Sequence, residues 1–116
     1  MQKGIPSKLE NIIHSYTLGL RNIYGDKLVS VTLFGSYARG DFTTASDIDL
    51  LVVTRASEAE FEKLRKQVVE LTFETNMEHD IEIEPVIMPY SEYRYWEAVH
   101  PLLREVRKDG VNLYAA

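Results

Sequence analysis

Cysteine is absent from this sequence, which excludes a disulfide framework and thiolate metal sites. The sequence also has no uninterrupted apolar run of about 18 residues or more, the length that a membrane-spanning helix requires. At the N-terminus, MQKGIPSKLE lacks the apolar core of a secretory signal peptide. Taken together, these absences predict a cytoplasmic protein without a membrane segment.

Basic residues are in deficit: 13 lysines and arginines face 18 aspartates and glutamates, for a formal net charge of −5. Because non-specific nucleic-acid binding needs a basic surface to displace counterions, we expect no direct nucleic-acid partner. A nucleotide that arrives with its own metal ions is still compatible with this charge. No internal repeat, low-complexity tract or long linker divides the 116 residues, so we expect one domain over 1–116 with a single core.

The apolar residues recur with helical and strand periods, which predict an alternation of helices and strands. The clearest helix start is Ser57 followed by Glu60, a capping box ahead of apolar positions. We expect that helix to run to about Asn76 and residues 76–79 to break it. The full predicted order is helix 7–24, strand 27–34, strand 47–54, helix 57–76, strand 80–88, helix 91–96, a helix from Pro101 and a short strand 111–114.

The stretch 31–53, VTLFGSYARGDFTTASDIDLLVV, holds the residues that can carry chemistry. It predicts a buried strand, a glycine-serine turn, a short helical turn and loop, and a second strand. Asp47 and Asp49 are one residue apart on that second strand, so their carboxylates share a face at roughly 6–7 Å. The apolar residues around them indicate a covered strand, where two carboxylates are costly unless a cation compensates them.

A phosphate cradle and a metal site are predicted side by side. Gly35 and Ser36 lie between a strand and a helical turn, where free N–H groups, close backbone approach and a hydroxyl favour an anion. Asp47 and Asp49 are hard oxygen ligands suited to Mg²⁺, and Glu82 lies on a later strand that can pair beside them. Each signal alone is more often a plain turn or a solvated strand end. Combined, they suit phosphoryl or nucleotidyl transfer.

A family resemblance follows from the spacing of these residues. Gly35-Ser36, ten residues and then Asp47-Ile-Asp49 with Leu-Leu-Val-Val resembles the signature of the DNA polymerase β-like nucleotidyltransferase superfamily, in particular its minimal nucleotidyltransferases. The likeness continues through IEIEPVIM and LREVRKDGVNLY. It implies an α+β, two-layer α/β fold: a small mixed, mostly antiparallel sheet with helices mainly on one face.

The resemblance also implies roles for individual residues. Gly35 and Ser36 would hold the triphosphate of ATP, whereas Asp47 and Asp49 would hold Mg²⁺, with two ions expected. A third carboxylate would complete the site and help to deprotonate the acceptor hydroxyl. We predict Glu82 for this role because Ile81 and Ile83 bracket it as the family pattern expects. Glu84 and Asp80 share its strand face and remain alternatives, since the family more often has aspartate here.

Arg39 ends the helical turn after Gly35-Ser36, and two roles are open for it. It can contact the phosphates or the neighbouring carboxylates, or it can serve only as a surface charge at a helix end. We include it among the predicted nucleotide-binding residues.

The resemblance implies transfer of AMP from ATP to a hydroxyl with release of pyrophosphate. The chain shows no appended domain for an acceptor, so a partner or self-association into a homo-oligomer is expected to supply it. Minimal nucleotidyltransferases are often paired with a helical toxin of the HEPN class and act as antitoxins that adenylylate its tyrosines. That role is our leading hypothesis.

Two alternative functions come from other classes. The first is a catalytically weak binding subunit that neutralises its partner by contact alone. An exposed part of the aromatic cluster formed by Tyr90, Tyr93, Tyr95 and Trp96 would favour it by marking a partner surface. The second is a small-molecule nucleotidyltransferase of the aminoglycoside-modifying kind, which usually needs a C-terminal helical domain.

Overall fold

A computed structural model of the protein describes residues 4–116, in which helices and strands alternate. Residues 1–3, part of the N-terminal stretch assessed above for a signal peptide, lie outside the described residues. None of the described helices is long and apolar enough to cross a membrane. The elements are α1 (Ser7–Tyr24), β1 (Leu28–Phe34), α2 (Ser36–Arg39), β2 (Ile48–Thr54), α3 (Glu58–His79), β3 (Ile83–Pro89), α4 (Tyr90–Trp96), α5 (Pro101–Asp109) and β4 (Val111–Ala115).

The strands form one sheet with the order β3-β2-β1-β4. β1 pairs antiparallel with both β2 and β4, whereas β2 and β3 run parallel. A parallel pair needs a crossover connection, and α3 provides it. The predicted mixed, mostly antiparallel sheet is therefore confirmed.

Both faces of the sheet are covered, but unequally. The long helices α1 and α3 pack on one face, against Leu50 and Val52 of β2. The shorter α4 and α5 cover part of the other face, against Leu51 and Val53. These four neighbouring residues are at most 1% exposed, as expected for a strand buried on both sides. The predicted α+β class, with helices mainly on one face, is confirmed.

Helix α3 begins as predicted and ends later than predicted. The Ser57 hydroxyl accepts a hydrogen bond from the Glu60 amide at 3.3 Å, and the Ser57 amide donates to the Glu60 carboxylate at 3.1 Å. The helix continues to His79 and stops at Asp80, whose φ is +52°. The expected break at Asn76 was wrong, because the Asn76 amide bonds to the backbone of β3 instead of competing with the helix.

Two strand starts also shift. β2 begins at Ile48, so Asp47 precedes the strand. β3 begins at Ile83 rather than at Asp80, because the left-handed Asp80 and the turn after it connect the longer helix to the sheet. The ladder nevertheless extends one step further, since the Ile48 amide donates to the Glu82 carbonyl at 2.8 Å. Asp47 and Glu82 thus lie at the same end of the β2–β3 pair, just before the two strands begin.

Candidate active site

Gly35 connects β1 to α2 in a conformation that suits only glycine. Its φ is +76° and its ψ is −155°. A Cβ at this position would lie 2.4 Å from Oδ2 of Asp49. The missing side chain therefore lets the Asp49 carboxylate lie against the turn. From the sequence, a glycine is expected here so that a phosphate can approach the backbone. The structure adds a second reason, which is the close contact with Asp49 of the neighbouring strand.

Helix α2 presents backbone donors directly after this glycine. The amides of Ala38 and Arg39 both donate to the Gly35 carbonyl at 3.1 Å. The first two amides of a helix, here those of Ser36 and Tyr37, have no acceptor within it. Ser36 is partly exposed and adds its hydroxyl to the same end of α2. The turn can therefore offer several donors to an anion.

Asp49 is the central carboxylate of the site. It pairs with Phe34 on β1 and with Glu84 on β3, and it is half-buried. Partial burial raises the pKa of the Asp49 carboxyl, and the negative charges of Asp47 and Glu105 raise it further, whereas Arg39 lowers it. The carboxylate is thus under-compensated by the protein, which is the electrostatic condition of a cation site.

The structure brings Glu84 to the aspartates as well. In the parallel pair, Asp49 lies opposite Glu84 and Ile48 opposite Ile83, so the two carboxylates share a face. Desolvation raises the pKa of Glu84, and so do the charges of Asp47, Asp49 and Glu82 and a hydrogen bond with Asp47. Glu84 is therefore in direct electrostatic contact with both aspartates.

Glu82 and Asp80 lie beside a small cavity at the start of β2. The cavity measures about 210 Å³ and extends between the loop before β2 and the turn after α3. Its wall includes Tyr37, which stacks on Phe42 with 4.3 Å between the ring centroids. Sequence reasoning did not anticipate Tyr37 as part of the site, because its stacking partner lies in the loop.

Arg39 is held by two carboxylates rather than left free. Its Nη1 lies 2.8 Å from Oε1 of Glu105, and its Nε lies 3.3 Å from Oδ2 of Asp41. Glu105 is on α5, 66 residues away in the sequence, and no local pattern could have indicated this contact. The ion pairs keep the guanidinium near Asp49, whose pKa it lowers.

The carboxylates suit a magnesium ion that takes only some of its ligands from the protein, rather than a metal ion enclosed by protein ligands. Among residues 4–116, no three aspartate, glutamate or histidine side chains are already arranged around one point. Mg²⁺, however, usually takes one or two carboxylates and fills its remaining positions with water and substrate phosphates. Asp47 and Asp49 offer hard oxygens beside the backbone donors of α2. The donor set therefore suits an ion that arrives with a nucleotide.

The fold and this arrangement define a class of enzyme. The sequence profile of the nucleotidyltransferase domain matches residues 19–110, and the chain belongs to that family. The match includes the turn at Gly35 and both aspartates, Asp47 just before β2 and Asp49 within it. The resemblance in the sequence is thus confirmed, and the protein is a nucleotidyltransferase.

Individual relatives narrow the comparison. The protein named "Putative protein adenylyltransferase MJ0141" from Methanocaldococcus jannaschii is 36% identical over 76 residues, which are 66% of this chain and 75% of the relative. A crystal structure of a toxin–antitoxin with AMP-PNP shares the fold, with a TM-score of 0.57 and 21% identity over 89% of this chain and 73% of the other.

A third similar structure is a chain from the complex of the tri-AMPylated Shewanella oneidensis HEPN toxin with MNT antitoxin. It has a TM-score of 0.52 and 19% identity, over 92% of this chain and 73% of the other. At these identities the two solved structures show a common fold.

Proposed function

We propose that this chain is a Mg²⁺-dependent protein adenylyltransferase that transfers AMP from ATP to a tyrosine of a HEPN-type toxin and acts as its antitoxin. The observation that carries the proposal is the contact between the Gly35 turn and Asp49, which joins phosphate donors to metal-binding carboxylates. Support comes from the M. jannaschii relative, whose name is that of a protein adenylyltransferase. The S. oneidensis complex supports the choice of partner.

The chain's own residues divide the work. The Ser36 hydroxyl and the first amides of α2 bind the phosphates, and Arg39 neutralises part of their charge from its position beside Asp49. Asp47 and Asp49 hold the metal, with two ions proposed. When bound, Mg²⁺ supplies charge compensation for the triphosphate and its leaving pyrophosphate.

The third carboxylate accepts the proton of the acceptor hydroxyl. We propose Glu82, which follows the family pattern and lies beside Asp47 at the end of the β2–β3 pair where both strands begin. Glu84 is the alternative, supported by its register with Asp49 and by its raised pKa, which suits a proton acceptor. Replacing each separately with glutamine distinguishes the two.

The test is transfer of label from α-labelled ATP in the presence of Mg²⁺ and a candidate HEPN partner. We expect one or more AMP units on partner tyrosines, identified by intact mass and peptide mapping. Chelation of Mg²⁺ should abolish the label. Label that appears equally with the Asp47→Asn/Asp49→Asn protein would contradict the proposed site.

Neutralisation by contact alone is the second candidate function. Tyr90 and Tyr93 pack against the core, but Tyr95 and Trp96 of α4 are exposed and can contact a partner. The inactive aspartate double variant separates the two candidates. If it still neutralises the toxin in cells, contact is sufficient; if it does not, AMP transfer is required.

A further inference from the structure

Helix α3 carries a second apolar stripe that faces away from the core. Val69, Phe73 and Met77 follow one another at intervals of four residues, so they lie on one face of the helix. Their exposed fractions are 52%, 65% and 69%. The inward stripe is separate and includes the buried Val68. Because the solvent face of a surface helix is ordinarily polar, the outer stripe marks a contact surface.

A groove separates this stripe from the outer edge of the sheet. It has a volume of about 420 Å³, and Val69 and Phe73 form one wall while Ile83 and Pro85 form the other. Glu82 and Glu84 also line it, so the groove reaches the carboxylates beside Asp47 and Asp49. An occupant of the groove therefore lies next to the candidate active site.

The exposed edge of β3 is closed to strand addition in this segment. The Asn76 side chain accepts a hydrogen bond from the Ile83 amide at 2.8 Å and donates to the Ile83 carbonyl at 3.2 Å. Pro85, the next residue that faces the free edge, has no amide hydrogen to offer. An extended peptide would find few backbone partners here, so the occupant packs with its side chains, as a helix does in a groove.

The charges around the groove restrict the occupant further. Glu70, Glu74 and Glu78 are exposed on α3 beside the apolar stripe, and Glu82 and Glu84 lie on the opposite side. Two copies of this chain, each with a net charge of −5, would bring acidic rims together. A helix whose apolar face is flanked by lysine and arginine complements the groove instead.

We propose that the groove between α3 and β3 docks a basic, amphipathic helix of the protein that supplies the acceptor hydroxyl. The identity of that protein as the acceptor rests on the proposed function, but the docking does not require transfer to occur. A helix held by Phe73 and Met77 presents its neighbouring residues to the carboxylates. The groove thus selects which hydroxyl reaches the site.

Binding to the HEPN partner, measured by calorimetry without nucleotide, tests this docking. Phe73→Ser/Met77→Ser should weaken binding tenfold or more, because buried aromatic and Met anchors dominate interfaces. The matched control Leu18→Ser/Val99→Ser changes two exposed apolar residues that do not line the groove and should leave affinity within twofold. Both sets are exposed, so the folds should remain intact, as checked by thermal melts.

Photo-crosslinking identifies the occupant without assuming its name. With p-benzoylphenylalanine in place of Phe73 in the host cell, we expect a crosslink to a helical segment that carries lysine or arginine beside apolar residues. A crosslink to a second copy of this chain, or none at all, would overturn the proposal.

Failure of the docking proposal can be distinguished from failure of the proposed adenylyl transfer. If the groove variant binds the partner and transfers label to it as the wild type does, the docking proposal is wrong and adenylyl transfer stands. If the wild type binds through Phe73 and Met77 without any transfer, docking stands and the proposed activity is wrong.

Discussion

β2 and β3 run side by side and both carry carboxylates of the candidate site, yet their surroundings differ. β2 is buried on both faces, whereas β3 lies at the sheet edge and alternates between buried and exposed residues. On the covered strand a carboxylate is costly, so Asp49 is a sign of function. On the edge strand, water solvates the carboxylates of Glu82 and Glu84. They therefore cost little free energy, and their presence in the sequence says little about function. Asp49 was therefore predictable from the sequence, whereas the third carboxylate was ambiguous.

The largest expected effect comes from Asp47, which precedes the covered strand, and Asp49, which lies within it. Asp47→Asn/Asp49→Asn should lower AMP transfer by about 1,000-fold or more, because the metal and the charge compensation it supplies are lost. The thermal melt should stay cooperative, since the replacements remove charge without changing volume. Transfer rates and calorimetric melts measure both. Unchanged transfer would mean that the covered strand does not hold the metal.

Gly35→Ala tests whether the turn and the covered strand are coupled. The added Cβ would meet Asp49, so we expect transfer to fall about 100-fold and stability to fall by about 1–3 kcal/mol. Gly25→Ala is the matched control, because its φ is +57° but no atom lies within 4 Å of the added Cβ. It should cost similar stability in urea unfolding and leave transfer intact. Equal loss of activity in both would argue against a specific role for the Asp49 contact.

The edge strand is tested by two single replacements. Glu82→Gln should lower transfer about 100-fold through loss of the proton acceptor, and Glu84→Gln by less than tenfold. The same initial-rate assay applies to both, and each variant serves as the control of the other. The reverse order would assign the third carboxylate to Glu84, which lies opposite Asp49 in the β2–β3 register.

The smallest effect concerns stability and pH. The pKa of Asp49 is raised by burial, so its folded form binds a proton more readily than its unfolded form. Stability from this group is therefore present below the unfolded pKa and is lost as pH rises through the folded pKa. Without metal, the melting temperature of the wild type should fall relative to that of Asp49→Asn as pH is raised from 4 to 7. Added Mg²⁺ should reduce the difference between the two melting temperatures. A wild-type melting temperature that rises relative to that of Asp49→Asn over this pH range without metal would contradict this account.

Local rules accounted for much of the fold. The amphipathic stripe predicted α1, the Ser57–Glu60 capping box predicted the start of α3, and the apolar run predicted the covered β2. The end of α3 escaped prediction because Asn76 bonds to Ile83, a partner that exists only once β3 is in place. The link between Arg39 and Glu105 escaped for the same reason.

The sequence alone was enough to predict a glycine-serine turn ahead of two aspartates at the start of an apolar strand. Those features are local, since spacing and strand alternation act between near neighbours along the chain. The folded chain was needed to show that Gly35 lies against Asp49, that Glu84 pairs with Asp49 across the sheet, and that an apolar groove leads to these carboxylates. Contacts of this kind depend on the register of strands far apart in sequence, which the packing of the whole core sets.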